Sequence, residues 1–498
     1  MNNLNFLVDV LKESPVFKTL EKNVKPGRTV CASGLSTINK SNIIYALCRL
    51  KGVTAFCLAS DEKEAQTLCN DLSCMGLRAY VYPVRDFNFL DFQSRSHEYE
   101  HARLKVLLKL INHECDVAIA CVDAAAQLTV PRNVLEQSVI EFEEGRELSL
   151  EKATKALTLL GYERFDAVEG SGQFSLRGGI LDFFMPDSDY PVRCEFWGDE
   201  ITDLSYFDIE TQRRFKKADK ITLSPSTEIV IEDRAALADK IEHKAKLLRS
   251  KNSAKAKEKL FSEAELIRSG AMIANADKFI NQIYDKPESL FDYLDRNTLV
   301  FASEFTAIQE RGKSMDFISN ETLMQGFEDG TLCRGFDRFA LTFNECTEFL
   351  QSHGTIVLEN FVHGSMPIKL SEIISFSTKQ LSAWGGSYKQ LKEDVDGLFT
   401  PESKGVIFAG TERAAKNLCD TFNADGINAV YSEGADKISK GELLVMQGAL
   451  SAGFEYPSQK FFAITYSQVS YRPEKSKKNE RKRREQGNLT SLFRSFAP

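Results

Sequence analysis

Residues 172–207 read GQFSLRGGILDFFMPDSDYPVRCEFWGDEITDLSYF, and their spacing predicts four short β-strands. Phe174 and Leu176 alternate with Ser175 and Arg177, the period-two pattern of a strand with one buried face. Gly178 and Gly179 permit a kink, and Ile180 to Phe184 form an apolar second strand. Pro186-Asp187-Ser188-Asp189 supplies turn residues. Pro191 to Trp197 is the third strand, Gly198-Asp199 the next tight turn, and Glu200 to Phe207 the fourth. Val192, Cys194 and Phe196 then share one face, leaving Arg193, Glu195 and Trp197 on the other. A core tryptophan would sit in phase with Val192 and Phe196; Trp197 does not. Two readings stay open for it: cover for a sheet edge or domain seam, or part of a binding face. An exposed Trp beside Arg is the composition of interface hot spots. Arg177, on the polar side of the first strand, can join that face.

At 498 residues the chain has room for about three to four domains of roughly 150 residues. The net charge of −8 argues against a surface that coats nucleic acid generally, though it allows a local basic patch. Eleven cysteines occur without any CxxC. Cys69 with Cys74 and Cys115 with Cys121 are not zinc spacings, and His97, His101 and His113 are not spaced as a metal set, so no metal is expected. Most cysteines lie in apolar runs and read as buried free thiols of a reducing cytoplasm. The start, MNNLNFLVDVLKESPVF, lacks a basic stretch leading into an apolar one, and no apolar run approaches membrane-spanning length. The expectation is a cytoplasmic protein without a membrane partner.

Residues 1–23 read as helices. Strands are expected near Ala32 and over Thr54–Ser60, Ala79–Pro83 and Asp116–Val122, with helices over Glu62–Met75 and Glu98–Asn112. This rhythm implies a parallel sheet with helices on both faces. Between the first strand and its helix, Gly34-Leu35-Ser36-Thr37-Ile38-Asn39-Lys40-Ser41 fits the phosphate loop GxxxxGKS at every defined position except Asn39, where glycine belongs. The second glycine lets the backbone pass close to phosphates, whereas Asn brings a side chain into that space. A weak nucleotide site on Lys40 and Ser41 is one reading. A relic turn that keeps only strand-to-helix geometry is the other, and the expectation follows it. The sheet resumes at Thr298–Glu304, where an active ATPase of this class ends a strand in Asp-Glu. This chain has Ser303-Glu304, and a neutral Ser cannot replace a metal-binding carboxylate. The pattern is that of an ATPase sheet without its chemistry.

FSLRGGILDFF, PVRCEFWGDEI and, at Phe207 to Arg214, FDIETQRR resemble the second domain of the bacterial transcription-repair coupling factors, and a related domain occurs in excinuclease B. YPVRDFNFLDF and HARLKVLLKLINHECDVAIACVDAAAQLTVPR resemble the first domain that the two families share, and LSAGFEYPSQKFFAITYSQV the end of the coupling factors' third domain. The β-hairpin with which excinuclease B clamps damaged DNA has no room here, because Val122 runs through Asp123 to Ala126 directly to Pro131.

The resemblance implies a multidomain α/β architecture. Residues 1–130 and 226–362 form the two halves of a degenerate P-loop, helicase-like domain. Residues 131–225 are an inserted small antiparallel α+β domain, 363–470 a third small α/β domain, and 471–498 a basic flexible linker centred on RPEKSKKNERKRREQGN. It further implies that the parent protein displaces stalled RNA polymerase by ATP-driven translocation on double-stranded DNA and recruits excinuclease A. The family's contacts with excinuclease A fall on Arg177, Arg193 and the position of Trp197, where relatives often have Phe. The polymerase-binding and motor parts, with their ATP and Mg²⁺, are not in this chain. The expectation is a non-catalytic, cofactor-free recruiting module; an ATP-dependent translocase active in its own right is the alternative.

Overall fold

The computed structural model describes residues 4–85, 97–248, 253–270, 276–362, 366–385 and 387–466. The basic segment expected to be a flexible linker lies outside them.

Seven parallel strands form the largest sheet, in the order Glu372–Ser375, Val30–Ser33, Thr355–Leu358, Leu299–Ser303, Ala55–Ala59, Val117–Cys121, Ala79–Tyr82. Val30–Ser33, Ala55–Ala59, Val117–Cys121 and Thr355–Leu358 are buried along their whole length. That is the near-continuous apolar signature of strands covered on both faces. Helix Thr37–Lys51 follows the first strand and stops at Gly52, whose φ of +62° few other residues adopt. After Val117–Cys121 the chain enters a short helix, Val122–Ala126, and no hairpin intervenes. Glu372–Ser375 pairs with Val30–Ser33, so this sheet runs past residue 363, where a new domain was expected to begin.

The inserted segment is richer than four strands. Its sheet has the order Arg214–Lys217, Glu200–Phe207, Val192–Trp197, Ile180–Phe183, Gln173–Arg177, Glu163–Arg164, so a short strand flanks the expected four on each edge. Ile140–Glu143 pairs separately with Lys220–Leu223. Phe142, Leu157, Phe174, Leu181, Val192 and Leu204 share one core. Val192, Cys194 and Phe196 point into it, as their alternation predicts. The first strand departs from its pattern: Ser175 is buried, its hydroxyl donating to the Asp166 carbonyl, while Leu176 is only half-buried.

A buried polar network joins the two halves of the parallel-sheet domain where the chain returns from the insertion. Arg103 and Glu228 are fully buried and pair at 2.6 Å. Thr129 donates to the same carboxylate at 2.7 Å, and Arg103 stacks over Tyr82. A buried charge pair is stable only when its remaining polar atoms are satisfied, and here Gln127 and the Pro83 carbonyl accept from the guanidinium.

By contact density the chain divides into two units. Among the described residues, one comprises those from 4 to 379 with 435–437 and 456–459; the other comprises those from 380 to 434, 438–455 and 460–466. In the second unit Lys404–Phe408 pairs in parallel with Glu442–Met446 and Phe461–Thr465. Thr411 caps helix Glu412–Ala424 by accepting from the Ala414 amide, as the local sequence predicts. The multidomain α/β class read from the sequence is the one observed. All eleven cysteines are free, and all but Cys74 are buried. Among the described residues no helix is long and apolar enough to cross a membrane.

Candidate functional site

The polar face of the inserted sheet carries Arg177, Arg193 and Trp197. Strand register sets Asp182 directly between Ser175 and Arg193 on that face. Asp182 is 1% exposed and serves as the anchor for both arginines. Arg193 grips it in a forked pair, Nε to Oδ1 at 2.7 Å and Nη2 to Oδ2 at 2.8 Å, while Arg177 Nη2 donates to Oδ2 at 2.7 Å. Such bidentate charge-assisted bonds fix a guanidinium in one orientation. Arg193 also donates to Gln212 and lies 4.4 Å from the Phe207 ring centroid.

The three side chains differ in what they present. Trp197 ends its strand opposite Glu200 and is 83% exposed. Arg177 is half-exposed, at 50% of its side chain, and Arg193 only 13%. The sequence reading pictured one uniformly exposed patch. Instead Arg193 is largely enclosed, because Asp182, Gln212 and Phe207 surround it. Arg214, which pairs with Glu195 and with Asp203, continues the charged ladder along the same face. Asp182 escaped the sequence reading because it lies inside the apolar run ILDFF; only the hairpin register shows that it faces Arg193.

A second cluster occupies the phosphate-loop region. Gly34 has φ of +77°, and a Cβ there would meet the Phe376 carbonyl at 2.2 Å. The amides of Gly34 and Leu35 donate to the carbonyls of Asn360 and Glu359. Asn39 is fully buried, its Oδ1 accepting from Ser36 at 2.6 Å. Lys40, 2% exposed, is engaged by Glu304 at 2.6 Å, Ser303 at 2.8 Å and Glu64 at 3.2 Å. Ser303 in turn donates to Glu64 at 2.6 Å. The Ser41 hydroxyl turns back toward Thr37 and Asp71. Glu304 holds a left-handed conformation, φ 55°, at the start of helix Phe305–Asp329.

Electrostatics follow from that packing. Burial alone would raise the Glu64 carboxyl, but Lys40, Ser303 and Ser60 outweigh it and hold it low. Glu359, buried and close to Glu304, is pushed up to about 7 by burial first and the neighbouring carboxylate second, despite accepting from the Phe305 amide. The residues present do not fit a nucleotide's phosphates in this arrangement. Two loop amides and the lysine already have partners, and Ser303 stands where a metal-binding carboxylate is needed. Sequence reasoning named Ser303 and Glu304 here but missed Glu64 and Glu359, which lie far along the chain and carry no local motif.

Residues 140–229 match the family model of the UvrB interaction domain, the segment that carries Arg177, Arg193 and Trp197. Across nearly its whole length the chain is similar to transcription-repair-coupling factors. It is 26% identical to that of Bacillus subtilis over 95% of this chain and 41% of the relative. It is 25% identical to that of Staphylococcus epidermidis over 78% and 33%, and 22% identical to that of Staphylococcus aureus over 97% and 41%. The chain thus spans about two fifths or less of the length of these curated relatives.

Proposed function

We propose that this chain is a recruiting module of transcription-coupled repair that binds excinuclease A through the polar face of the inserted sheet and hydrolyses no nucleotide itself. The observation that carries this reading is Trp197, a large apolar side chain left 83% exposed within the segment that matches the UvrB interaction domain. Trp supplies contact area at low entropic cost, and Arg177 beside Asp182 offers a half-free guanidinium for a carboxylate. Arg193 acts mainly by holding Asp182 and hence Arg177 in place. The coupling-factor name of the relatives supports the repair setting, and the engaged Lys40 supports a non-catalytic role. In this reading ATP, Mg²⁺, RNA polymerase and double-stranded DNA are handled by a longer protein in the cytoplasm, outside this chain.

The test is titration of purified excinuclease A into the chain and its variants. Trp197→Ala and Arg177→Ala are each expected to weaken binding by on the order of 1–3 kcal/mol. Binding equal to the parent by both variants would remove this face from the interaction. A steady-state ATPase assay with and without DNA addresses the translocase alternative, with no turnover above background expected.

A further inference from the structure

The opposite edge of the parallel sheet, where its strands begin, holds a cavity of about 250 Å³ between the returning helices. Lys25, Arg28, Lys51 and Arg296 line it together with His353, and no Asp or Glu does. Among the described residues Lys25, Lys51 and Arg296 form no ion pair; Arg28 reaches Glu372 only at 3.4 Å, and its Nε is shut from water without a hydrogen-bond partner. The wall is also stiff. Gly27 donates to the His353 carbonyl at 2.8 Å, and a Cβ on Gly354 would come within 2.7 Å of the Gly27 and Arg28 nitrogens. The His353 Nε2 lies 2.9 Å from the Thr298 carbonyl, which fixes the ring.

Cations at this edge partly answer the ends of the helices Pro15–Asn23, Thr37–Lys51 and Phe343–His353, which all terminate there. Three helix C-termini supply roughly −1.5 charge, and Glu372 one more, so the four cations outnumber them by about one and a half charges. In a chain of net charge −8 that local surplus calls for an anion. Val53, Asn297 and Thr298 connect this chamber to a second of about 490 Å³, whose walls include Arg49, Thr54 and the Arg78–Asp116 pair. These walls offer donors and acceptors of both kinds. Neither chamber is lined by Phe, Tyr or Trp, so neither offers the large aromatic platforms on which single-stranded bases commonly stack.

We propose that this edge binds a small phosphate monoester with a polar, hydroxyl-bearing body: the phosphate sits among Lys25, Arg28, Lys51 and Arg296, and the body extends past Asn297 into the larger chamber. The site is separate from the phosphate-loop region, which lies at the other ends of the same strands. Its function is ligand binding, with no chemistry on the ligand.

Calorimetric titration of the whole chain with inorganic phosphate and with glucose 6-phosphate at low ionic strength tests it. One saturable site is expected for both, tighter for the sugar phosphate. Lys51→Glu with Arg296→Glu should weaken it about tenfold or more, equivalent to about 1.4 kcal/mol. Lys51 and Arg296 are exposed, so the melting temperature should hold; the single Arg296→Ser variant provides the same readout if the pair does not fold. Lys40→Ala should leave the binding unchanged. No saturation at millimolar probe, or equal affinity in the charge-reversed variants, overturns the proposal. So does a single-stranded oligonucleotide that binds through these residues more tightly than glucose 6-phosphate, since that would make the edge a track for a nucleic-acid backbone.

Discussion

The phosphate-loop region and the polar face of the inserted sheet make opposite use of charged side chains. In the first, Lys40, Ser303, Glu64 and Glu304 satisfy one another, and the loop amides of Gly34 and Leu35 point at carbonyls of the same domain. In the second, Asp182 is just as buried, yet Arg177 on it stays half-exposed, on the same face of the sheet as the solvated Trp197. A closed network supports folding, while an open one keeps binding capacity in reserve. The motif leaves two readings open at the first place, a weak nucleotide site and a relic turn, and the expectation follows the second; the lysine's donors there are taken up by side chains of its own domain.

This contrast can be broken most directly at Lys40. Lys40→Met should cost about 3 kcal/mol of unfolding free energy, the low end for breaking a buried pair, because Glu304 keeps some contact with water. Urea denaturation without any nucleotide measures it. A neutral result would mean that the lysine is held in reserve for a ligand, and the two regions would no longer differ.

Glu359 gives the next largest effect, with a defined sign. Its folded-state carboxyl titrates near 7, whereas an unfolded glutamate titrates near 4.3, so between these values the folded state holds the extra proton. Stability should therefore fall as pH rises through this window. Glu359→Gln should remove the dependence and, after allowance for solvent screening, gain about 2 kcal/mol at pH 8 relative to the parent. Thermal melts at several pH values in the two proteins check this.

On the open face the effects on folding should be smaller. Arg193→Ala leaves Asp182 with Arg177 alone and should lower stability by about 1.5 kcal/mol, the range for a hydrogen bond to a charged group. Trp197→Ala should change unfolding by no more than about 0.5 kcal/mol, since an exposed side chain leaves no cavity. A larger loss for Trp197 than for Arg193 would reverse the roles assigned to them.

Much of this was legible in the residues themselves. The alternation of Val192, Cys194 and Phe196 fixed the buried face of their strand, and it correctly put Trp197 outside. The alternation of strands expected over Thr54–Ser60 and Asp116–Val122 with helices pointed to a parallel sheet with helices on both faces, and the strands observed there, Ala55–Ala59 and Val117–Cys121, are buried throughout. What stayed hidden were partnerships across long stretches of chain. Arg103 and Glu228, Lys40 and Glu304, and Gly34 and Asn360 meet only once the fold is complete. Asp182 lies closer to Arg193 in sequence, but the turn between their strands is long enough that its register is not determined by turn type.

The order of strands also bears on how the chain acquires its shape during synthesis. Val30 pairs with Ile356 on one side and Glu372 on the other, so the first strand made must wait for the last of its sheet. In the inserted sheet each strand from Gln173–Arg177 to Arg214–Lys217 pairs with the next one along the chain. Local pairings close quickly, and distant ones must first bear the entropy of a long loop. The surface bearing Trp197 can thus be finished on the ribosome while the surrounding domain is still a partly exposed half-sheet, dependent on chaperones or on speed to escape aggregation.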